Sequence, residues 1–216
     1  MFRNQTPRKI FIQASLCTLL LLILFNIFAR SQNVTGNYVI TKDFFTILKA
    51  GQFSVYDSNE QQLQYRIQSQ IALWQIIELV SYPSNQIIAK LHMQWLALLY
   101  NANISIFDSS SNQWINGRIR RHFQFFGDQY TIEWNGQSIV METKIFSLTT
   151  KFHYQNQETI LAQFHRRWIS LIWTNKYDLE IFSKEIPDAI YILALAAKDH
   201  NTAQSSKSSR ATRKTR

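Results

Sequence analysis

The sequence predicts a mainly β fold of the α+β class: a closed antiparallel β-barrel of about twelve strands around a central C-terminal hydrophobic helix, plus an N-terminal transmembrane helix. Three observations lead to this prediction. Short apolar or alternating segments follow one another between turn residues, with no convincing amphipathic helix among them. One apolar block, Ala189–Ala197, is too short for a membrane span of about 20 residues, and it has no polar face for solvent. A long apolar run stands near the N-terminus.

That N-terminal run is Ile10–Ala29, which carries no charge and follows Arg3, Arg8 and Lys9. Its length matches a bilayer span, and basic residues before it are typical of a non-translocated N-terminus. We therefore expect a single-pass, uncleaved signal-anchor. The alternative is a signal peptide that is cleaved near Ser31. Both interpretations put the body on the lumenal or extracellular side, and a cytosolic body stays open as an alternative.

The formal net charge of +9 is confined to the two ends of the chain. Nine of the 23 Lys and Arg residues lie in 1–30 and 207–216, and these two segments contain no acidic residue. The other 14 basic residues equal the 14 acidic ones, so the body between the ends is neutral. A nucleic-acid-binding domain carries its basic stripe on its own surface. We therefore expect no nucleic-acid partner.

Composition divides the chain into five regions. They are a basic flank (1–9), the transmembrane segment (10–29), a polar linker (30–42), a barrel domain (43–200) and a basic tail (201–216). The tail is rich in Ser, Lys, Arg and Thr and has no large apolar residue. Such a composition buries too little apolar surface to fold, so the tail is expected to be disordered.

The strands are predicted from alternation and from turn residues. Leu63–Ile67 alternates as a half-buried strand does. The sharpest local signal is Asn135-Gly136, between Tyr130–Trp134 and Gln137–Met141, which predicts a tight type I′ hairpin. The other strands are predicted at 44–48, 53–56, 73–80, 87–91, 95–100, 104–107, 119–126, 144–150, 159–164, 168–173 and 177–182.

The apolar block is predicted to form a helix from 187 to 198. Pro187 and Asp188 favour a helix N-terminus, and Lys198 suits the negative end of the helix dipole. At 1.5 Å per residue such a helix is roughly 18 Å long, about the depth of a small domain's core. The residues expected to form the core of this central helix are Ile190, Leu193, Ala194, Leu195 and Ala197.

Strands followed by one apolar C-terminal helix resemble the Tubby C-terminal-like fold of Tubby proteins, phospholipid scramblases and the LURP-one-related family. The most specific part is Tyr177–Ile181 followed by Asp188–Asp199, which looks like the family's last strand leading into its helix. Thr149–Arg167 looks like the preceding hairpin, and Phe53–Asp57 also has the family's look. The similarity covers roughly 44–200 and is closest to the LURP-one-related and scramblase-like branch. It implies a closed twelve-stranded barrel around the helix.

The resemblance also directs attention to two basic clusters, because Tubby proteins bind phosphoinositide head groups through Lys and Arg on the barrel surface. Arginine suits phosphate because its planar fork donates two parallel hydrogen bonds. Alternate residues share one face of a strand, so the first two candidates are expected to point the same way. The alternative is that the clusters are solvated strand residues that balance nearby carboxylates. The candidates are Arg118, Arg120, Arg121, Arg166 and Arg167.

No motif in the sequence predicts catalysis. It has no Gly-x-Ser-x-Gly, His-Glu-x-x-His, P-loop or dinucleotide pattern. The only cysteine, Cys17, rules out a disulfide within the chain and a cysteine-based zinc site. His153 and His165 stand at positions that could face each other across a hairpin, an arrangement that more often reflects packing than a metal pair. We expect no catalytic residue, no metal and no cofactor.

The first functional hypothesis is a non-enzymatic, membrane-anchored protein of the LURP-one-related type. Its barrel is expected to bind lipid head groups, from an anionic phospholipid or a phosphoinositide, or a protein partner. One alternative is a scramblase-like lipid transporter. Another is a secreted or lumenal glycoprotein that serves as an interaction scaffold, for which Asn33 and Asn103 are the glycosylation candidates.

Overall fold

Twelve strands form one closed antiparallel barrel within the residues that the computed structural model describes, which are 33–42, 52–70, 76–93, 100–168, 175–199 and 201. The strands are β1 Gly36–Lys42, β2 Phe53–Asp57, β3 Leu63–Gln70, β4 Ile76–Ser81, β5 Gln86–Met93, β6 Asn101–Asp108, β7 Gln113–His122, β8 Asp128–Trp134, β9 Gln137–Thr143, β10 Thr149–Tyr154, β11 Ile160–Arg166 and β12 Lys176–Ile181. Each strand pairs with the next, and β1 also pairs with β12. Closure of this kind removes free sheet edges.

The helix α1 (188–199) lies inside this barrel and confirms the sequence prediction. The five side chains expected in its core are all at most 3% exposed, because strands surround the helix on every side. Tyr191 packs against Phe152 of β10 with their ring centroids 5.0 Å apart. A helix that is apolar all round is stable only in such a fully enclosed position.

The strands and the helix define two ends of the barrel. At the end that we call the base, where β1 and α1 both begin, the Tyr38 hydroxyl donates a hydrogen bond of 2.6 Å to Asp188. At the other end, which we call the mouth, Lys42 at the end of β1 forms an ion pair of 2.6 Å with Asp199. The helix therefore runs from the base to the mouth, alongside β1.

The predicted linker at 30–42 is wrong for its second half, because it contains β1. Tyr38 and Ile40 alternate toward the interior, and β1 pairs with both β2 and β12. The barrel consequently begins at Gly36 and not at residue 43. At the other boundary, Asn201 was expected in the tail but is helical, and its amide donates a hydrogen bond of 3.0 Å to the Tyr130 hydroxyl.

The Asn135-Gly136 hairpin is confirmed, with φ values of 45° and 76° at its two turn residues. Two strand predictions are displaced. The segment 119–126 was predicted as a strand, but β7 ends at His122. The segment 144–150 was also predicted as a strand, yet 144–148 is a loop and β10 begins at Thr149. The predictions at 44–48, 95–99 and 169–173 lie outside the described residues.

The predicted transmembrane segment at 10–29 lies outside the described residues too. Among the residues that are described, no helix has both the length and the apolar composition needed to cross a membrane. The basic tail from 202 onward is likewise outside the described part of the chain.

Candidate functional site

The five candidate arginines divide between the outer face of the barrel and its mouth. Arg118 and Arg120 are both exposed and point outward from β7, as predicted, because Ile119 between them faces the core. Arg120 is bonded to the Glu133 carboxylate of β8. Arg118 lines an open groove of about 1020 Å³ on the outer face, which Asn103 also lines. Both residues therefore lie away from the barrel interior.

Arg167 is held by two carboxylates. Its guanidinium lies 2.7 Å from Asp178 and 2.7 Å from Glu60. Hydrogen bonds from Lys176 and then from Arg167 lower the pKa of Glu60. The guanidinium of Arg167 is therefore engaged in an ionic network that connects the β2–β3 turn to β12. This arrangement matches the alternative in which a basic residue balances nearby carboxylates.

Arg121 and Arg166 instead point to the mouth, because each stands two residues after an inward-facing side chain. Arg121 follows Ile119 in this alternation and pairs with Asp128 at 2.7 Å. Arg166 follows Phe164, and its Nη2 donates a hydrogen bond of 2.6 Å to the Asn175 side chain. Of the five candidates, these two therefore point to the mouth, and they have different partners there.

Arg166 lines a cavity of about 440 Å³ at the mouth. That volume falls within the range of ligand pockets, roughly 300–1,000 Å³. Three cationic and two anionic side chains contribute to the wall, so its formal charge is positive. The lining residues are Lys42, Asp128, Thr143, Ser147, Leu148, Thr150, Phe164, Arg166, Asn175, Tyr177, Leu195, Lys198 and Asp199. We call this space the mouth cavity.

Lys198, in the last turn of α1, is a partly buried cation in the wall of the mouth cavity. Its Nζ donates hydrogen bonds to the hydroxyls of Thr143 and Thr150. Burial removes water from the ammonium group and lowers the pKa of Lys198 to about 8, while the negative charge of Asp128 opposes this shift. The ammonium group therefore remains largely protonated at neutral pH, in a setting where water screens its charge poorly.

Sequence reasoning missed most of the mouth cavity. Lys198 was recognised only as a residue that suits a helix end, and Lys42 was assigned to a linker. One signal was available, because Lys42 continues the inward alternation of Tyr38 and Ile40. The threonines that contact Lys198 come from β9 and β10, and only the closed sheet brings them to the helix.

The remaining candidates are dispersed. Within the described ranges, no three His, Cys, Asp or Glu side chains are grouped so as to hold a metal ion. His153 and His165 do not face each other, because they pair with Ile160 and Thr149 at opposite ends of the β10–β11 hairpin. The sequon residues Asn33 and Asn103 are both exposed.

Comparison with known proteins agrees with this architecture. No curated protein matches the sequence. The sequence pattern of one family, described as LURP-one-related, matches residues 37–197, which is about three-quarters of the chain. The match begins within β1 and ends within α1, so it spans the closed barrel and its central helix. The chain therefore belongs to the LURP-one-related family, within the Tubby C-terminal-like superfamily.

Proposed function

We propose that this protein is a non-enzymatic binding domain that takes the phosphorylated head group of an anionic phospholipid into its mouth cavity. The observation that supports the proposal most strongly is the buried ammonium group of Lys198, which lies beside Arg166 in a cavity of about 440 Å³. A phosphate group accepts hydrogen bonds from lysine, arginine and threonine hydroxyls alike. The cavity presents all three kinds of donor.

The proposal assigns different roles to the five candidate arginines. Arg166 contacts the head group directly, and Arg121 acts from the edge of the cavity through Asp128. The outward-facing residues Arg118, Arg120 and Arg167 contribute to surface charge and to strand-to-strand ion pairs. A head group bound in the outer groove beside Arg118 is the competing arrangement, and the same experiment decides between the two.

The test is calorimetric titration of a soluble inositol trisphosphate into the full chain held in phosphatidylcholine nanodiscs. Lys198→Gln and Arg166→Gln are each expected to weaken binding by about tenfold or more, since a charge-assisted hydrogen bond contributes roughly 1.5–3 kcal/mol. Arg118→Gln and Arg120→Gln are matched controls on the outer face and are expected to bind as the wild type does. Inorganic phosphate serves as the competitor that has no inositol ring.

The reverse pattern, in which the outer-face variants lose binding and the mouth variants keep it, would move the site to the groove beside Arg118. No heat of binding for any of the proteins would refute head-group recognition. Transport in the manner of a scramblase is a separate prediction, which a fluorescent-lipid flip assay on reconstituted full-length protein tests.

We further propose that residues 10–29 anchor the protein in a membrane. The support is the length of this uncharged run and the three basic residues before it. Asn33 and Asn103 report the side of the membrane, because both are exposed and lie in glycosylation sequons. A mobility shift on endoglycosidase treatment that Asn33→Gln and Asn103→Gln abolish would place the body in the lumen or outside the cell. Absence of a shift in a glycosylating host would favour a cytosolic body.

A further inference from the structure

Among the residues that the structure describes, six large apolar side chains are exposed at the mouth of the barrel. They stand on three connections, β7–β8, β9–β10 and β11–β12, all of which join strand ends at the mouth. Phe125 is 85% exposed and Phe146 is 98% exposed. At the base, by contrast, the exposed apolar side chains of the described residues are Val34, Ile87 and Trp114, each less than half exposed. We call the six residues the aromatic rim: Phe123, Phe125, Phe126, Ile145, Phe146 and Trp168.

The backbone holds two of these connections against each other. Gly127 has φ +90°, and a Cβ added there would lie 2.2 Å from the carbonyl oxygen of Thr143, so the β7–β8 connection packs directly on the end of β9. Phe146 has φ +60°, a left-handed conformation that bulky residues rarely adopt and that costs energy. The structure thus accepts strain at the very residue whose ring is the most exposed.

The mouth reverses the usual anatomy of a protein–protein interface. Such interfaces have an apolar centre and a polar margin. Here the cavity is polar and cationic, and exposed apolar side chains stand on three connections at the same end of the barrel. A charged head group in the cavity, with the rings among neighbouring lipids, satisfies both parts of this surface. Aromatic side chains favour the bilayer interface because one side of that layer is apolar and the other is wet.

The charges that follow the barrel in the sequence have the sign that such a surface requires. The described chain leaves the barrel at Asn201, which is bonded to Tyr130 at the mouth. The sequence that follows has five basic residues and no acidic one: Lys207, Arg210, Arg213, Lys214 and Arg216. Basic residues next to an anionic membrane surface are attracted to it, at about 1 kcal/mol each.

We propose that the aromatic rim inserts into the interfacial layer of a bilayer that contains anionic phospholipid. Because the chain enters the barrel at the base, this bilayer is a different one from the bilayer of the proposed anchor at 10–29. The proposal rests on the proposed function, because insertion seats the mouth cavity against the head groups. It adds a contact with the bilayer, which a lipid in a membrane offers and a soluble phosphate does not. The rim supplies contact with the bilayer, and the cavity supplies preference for the head group.

A fluorescent label at a single cysteine tests insertion. In a Cys17→Ser background, Phe126→Cys carries an environment-sensitive nitrobenzoxadiazole group on the rim, and Ile87→Cys carries the same group at the base as the matched control. Each full-length protein is held in phosphatidylcholine nanodiscs, and vesicles of phosphatidylcholine, alone or mixed with phosphatidylserine, are then added. In the mixed vesicles, the rim label is expected to shift to shorter emission wavelengths and to be protected from aqueous iodide. The base label is expected to remain quenchable.

Substitutions of the rim measure its contribution. With the label at position 126, Phe125→Ser and Phe146→Ser are each expected to reduce the inserted fraction by about tenfold, which corresponds to about 1.4 kcal/mol. Val34→Ser at the base is the control and is expected to change nothing. Equal iodide quenching of the rim and base labels in the mixed vesicles would overturn the proposal. So would a rim label that is already protected without vesicles and that becomes exposed on dilution, because the rim would then bind a second copy of the chain.

Failure of this proposal is distinguishable from failure of the proposed function. Rim variants are expected to bind the soluble inositol trisphosphate normally, whereas Lys198→Gln is expected to lose that binding and to retain some insertion. Insertion without binding of the soluble head group would refute the function assigned to the cavity and leave the rim assignment intact. Head-group binding without insertion would refute the rim assignment alone.

Discussion

The base and the mouth of the barrel end the same helix in different ways. At the base, tyrosine hydroxyls meet carboxylates directly: Tyr38 donates to Asp188, and Tyr154 donates to Glu185, each at 2.6 Å. Burial, together with Asp188, raises the pKa of Tyr38, and burial with Glu185 raises the pKa of Tyr154 to about 12. In these pairs the hydrogen-bond donors at the base are neutral hydroxyl groups. The mouth instead keeps cations around a cavity, so the proposed function assigns stability to the base and recognition to the mouth.

The largest expected effect comes from placing a charge between the two ends. Leu193 is fully buried in the middle of α1, and Leu193→Asp leaves a carboxylate without a partner in the core. Burying such a group, even after it takes up a proton, together with the lost apolar packing uses up a large part of the roughly 5–15 kcal/mol by which a domain is stable, so the variant is expected not to fold. Circular dichroism and thermal unfolding measure the outcome.

Leu195→Asp sharpens this first test, because Leu195 lines the mouth cavity near Lys198. Its carboxylate would have a cationic neighbour, so we expect a folded but destabilised protein. Equal losses of stability in the two variants would mean that a carboxylate at Leu195 gains nothing from Lys198 or from water at the mouth.

The second effect compares glycines at the two ends. Gly127→Ala at the mouth is expected to cost about 3 kcal/mol, because φ is positive and the new Cβ would clash with the Thr143 carbonyl. Gly136→Ala at the base also has positive φ but meets nothing within 4 Å, so about 1 kcal/mol is expected. Urea unfolding gives both values. Similar losses would show that the loop contact at Gly127 relaxes without cost.

The third effect concerns the polar closure of the base. Tyr38→Phe removes the hydrogen bond to Asp188 and is expected to destabilise the protein by about 2 kcal/mol, the range for bonds to a charged group. Lys198→Gln at the mouth is expected to reduce stability by less than Tyr38→Phe. The substitution removes hydrogen bonds, but it also removes a charge that burial has deprived of water. A larger loss for Lys198→Gln than for Tyr38→Phe in urea would contradict the division between the two ends.

The last effect is a pH dependence with opposite signs for binding and stability. The pKa of Lys198 in the folded protein is about 8 and thus below that of an ordinary lysine. Affinity for the soluble inositol trisphosphate should fall above about pH 8, by less than tenfold per pH unit, as the ammonium group loses its proton.

Stability of the unliganded protein responds in the other direction. The unfolded chain binds more protons than the folded one between roughly pH 8 and 10, so this group raises stability as pH rises through that window. Lys198→Gln should flatten both profiles, and calorimetry with urea unfolding at several pH values measures them. A wild-type affinity that stays constant as the pH rises through this pKa of about 8 would remove Lys198 from the site.

The barrel and its central helix could be predicted because local patterns report them. Alternation in Leu63–Ile67, the Asn135-Gly136 turn and the all-apolar block each have one physical cause. The mouth cavity could not be predicted in the same way. Lys42, Thr143, Thr150 and Lys198 are far apart in sequence, and only closure of the sheet around the helix brings them together.

The displaced strands have a common cause. Residues 123–126 and 144–147 were assigned to strands because they contain phenylalanine and isoleucine, yet the structure leaves these side chains exposed in loops. Buried positions are mostly apolar, but an apolar residue is not always buried, since exposed apolar residues are common on folded proteins. Local prediction often fails at functional sites, and in this chain it failed at residues of the aromatic rim, which we propose as the site of membrane contact.

The position of β1 has a practical consequence for handling the protein. Because the chain enters the barrel at the base, a purification tag or a surface tether on the N-terminal side of Gly36 is attached to the end remote from the rim. The C-terminal side is different, because the chain leaves at the mouth beside Tyr130. Biosensor measurements therefore call for immobilisation through the N-terminus, and a bulky fusion after Asn201 is expected to block lipid contact even in a correctly folded protein.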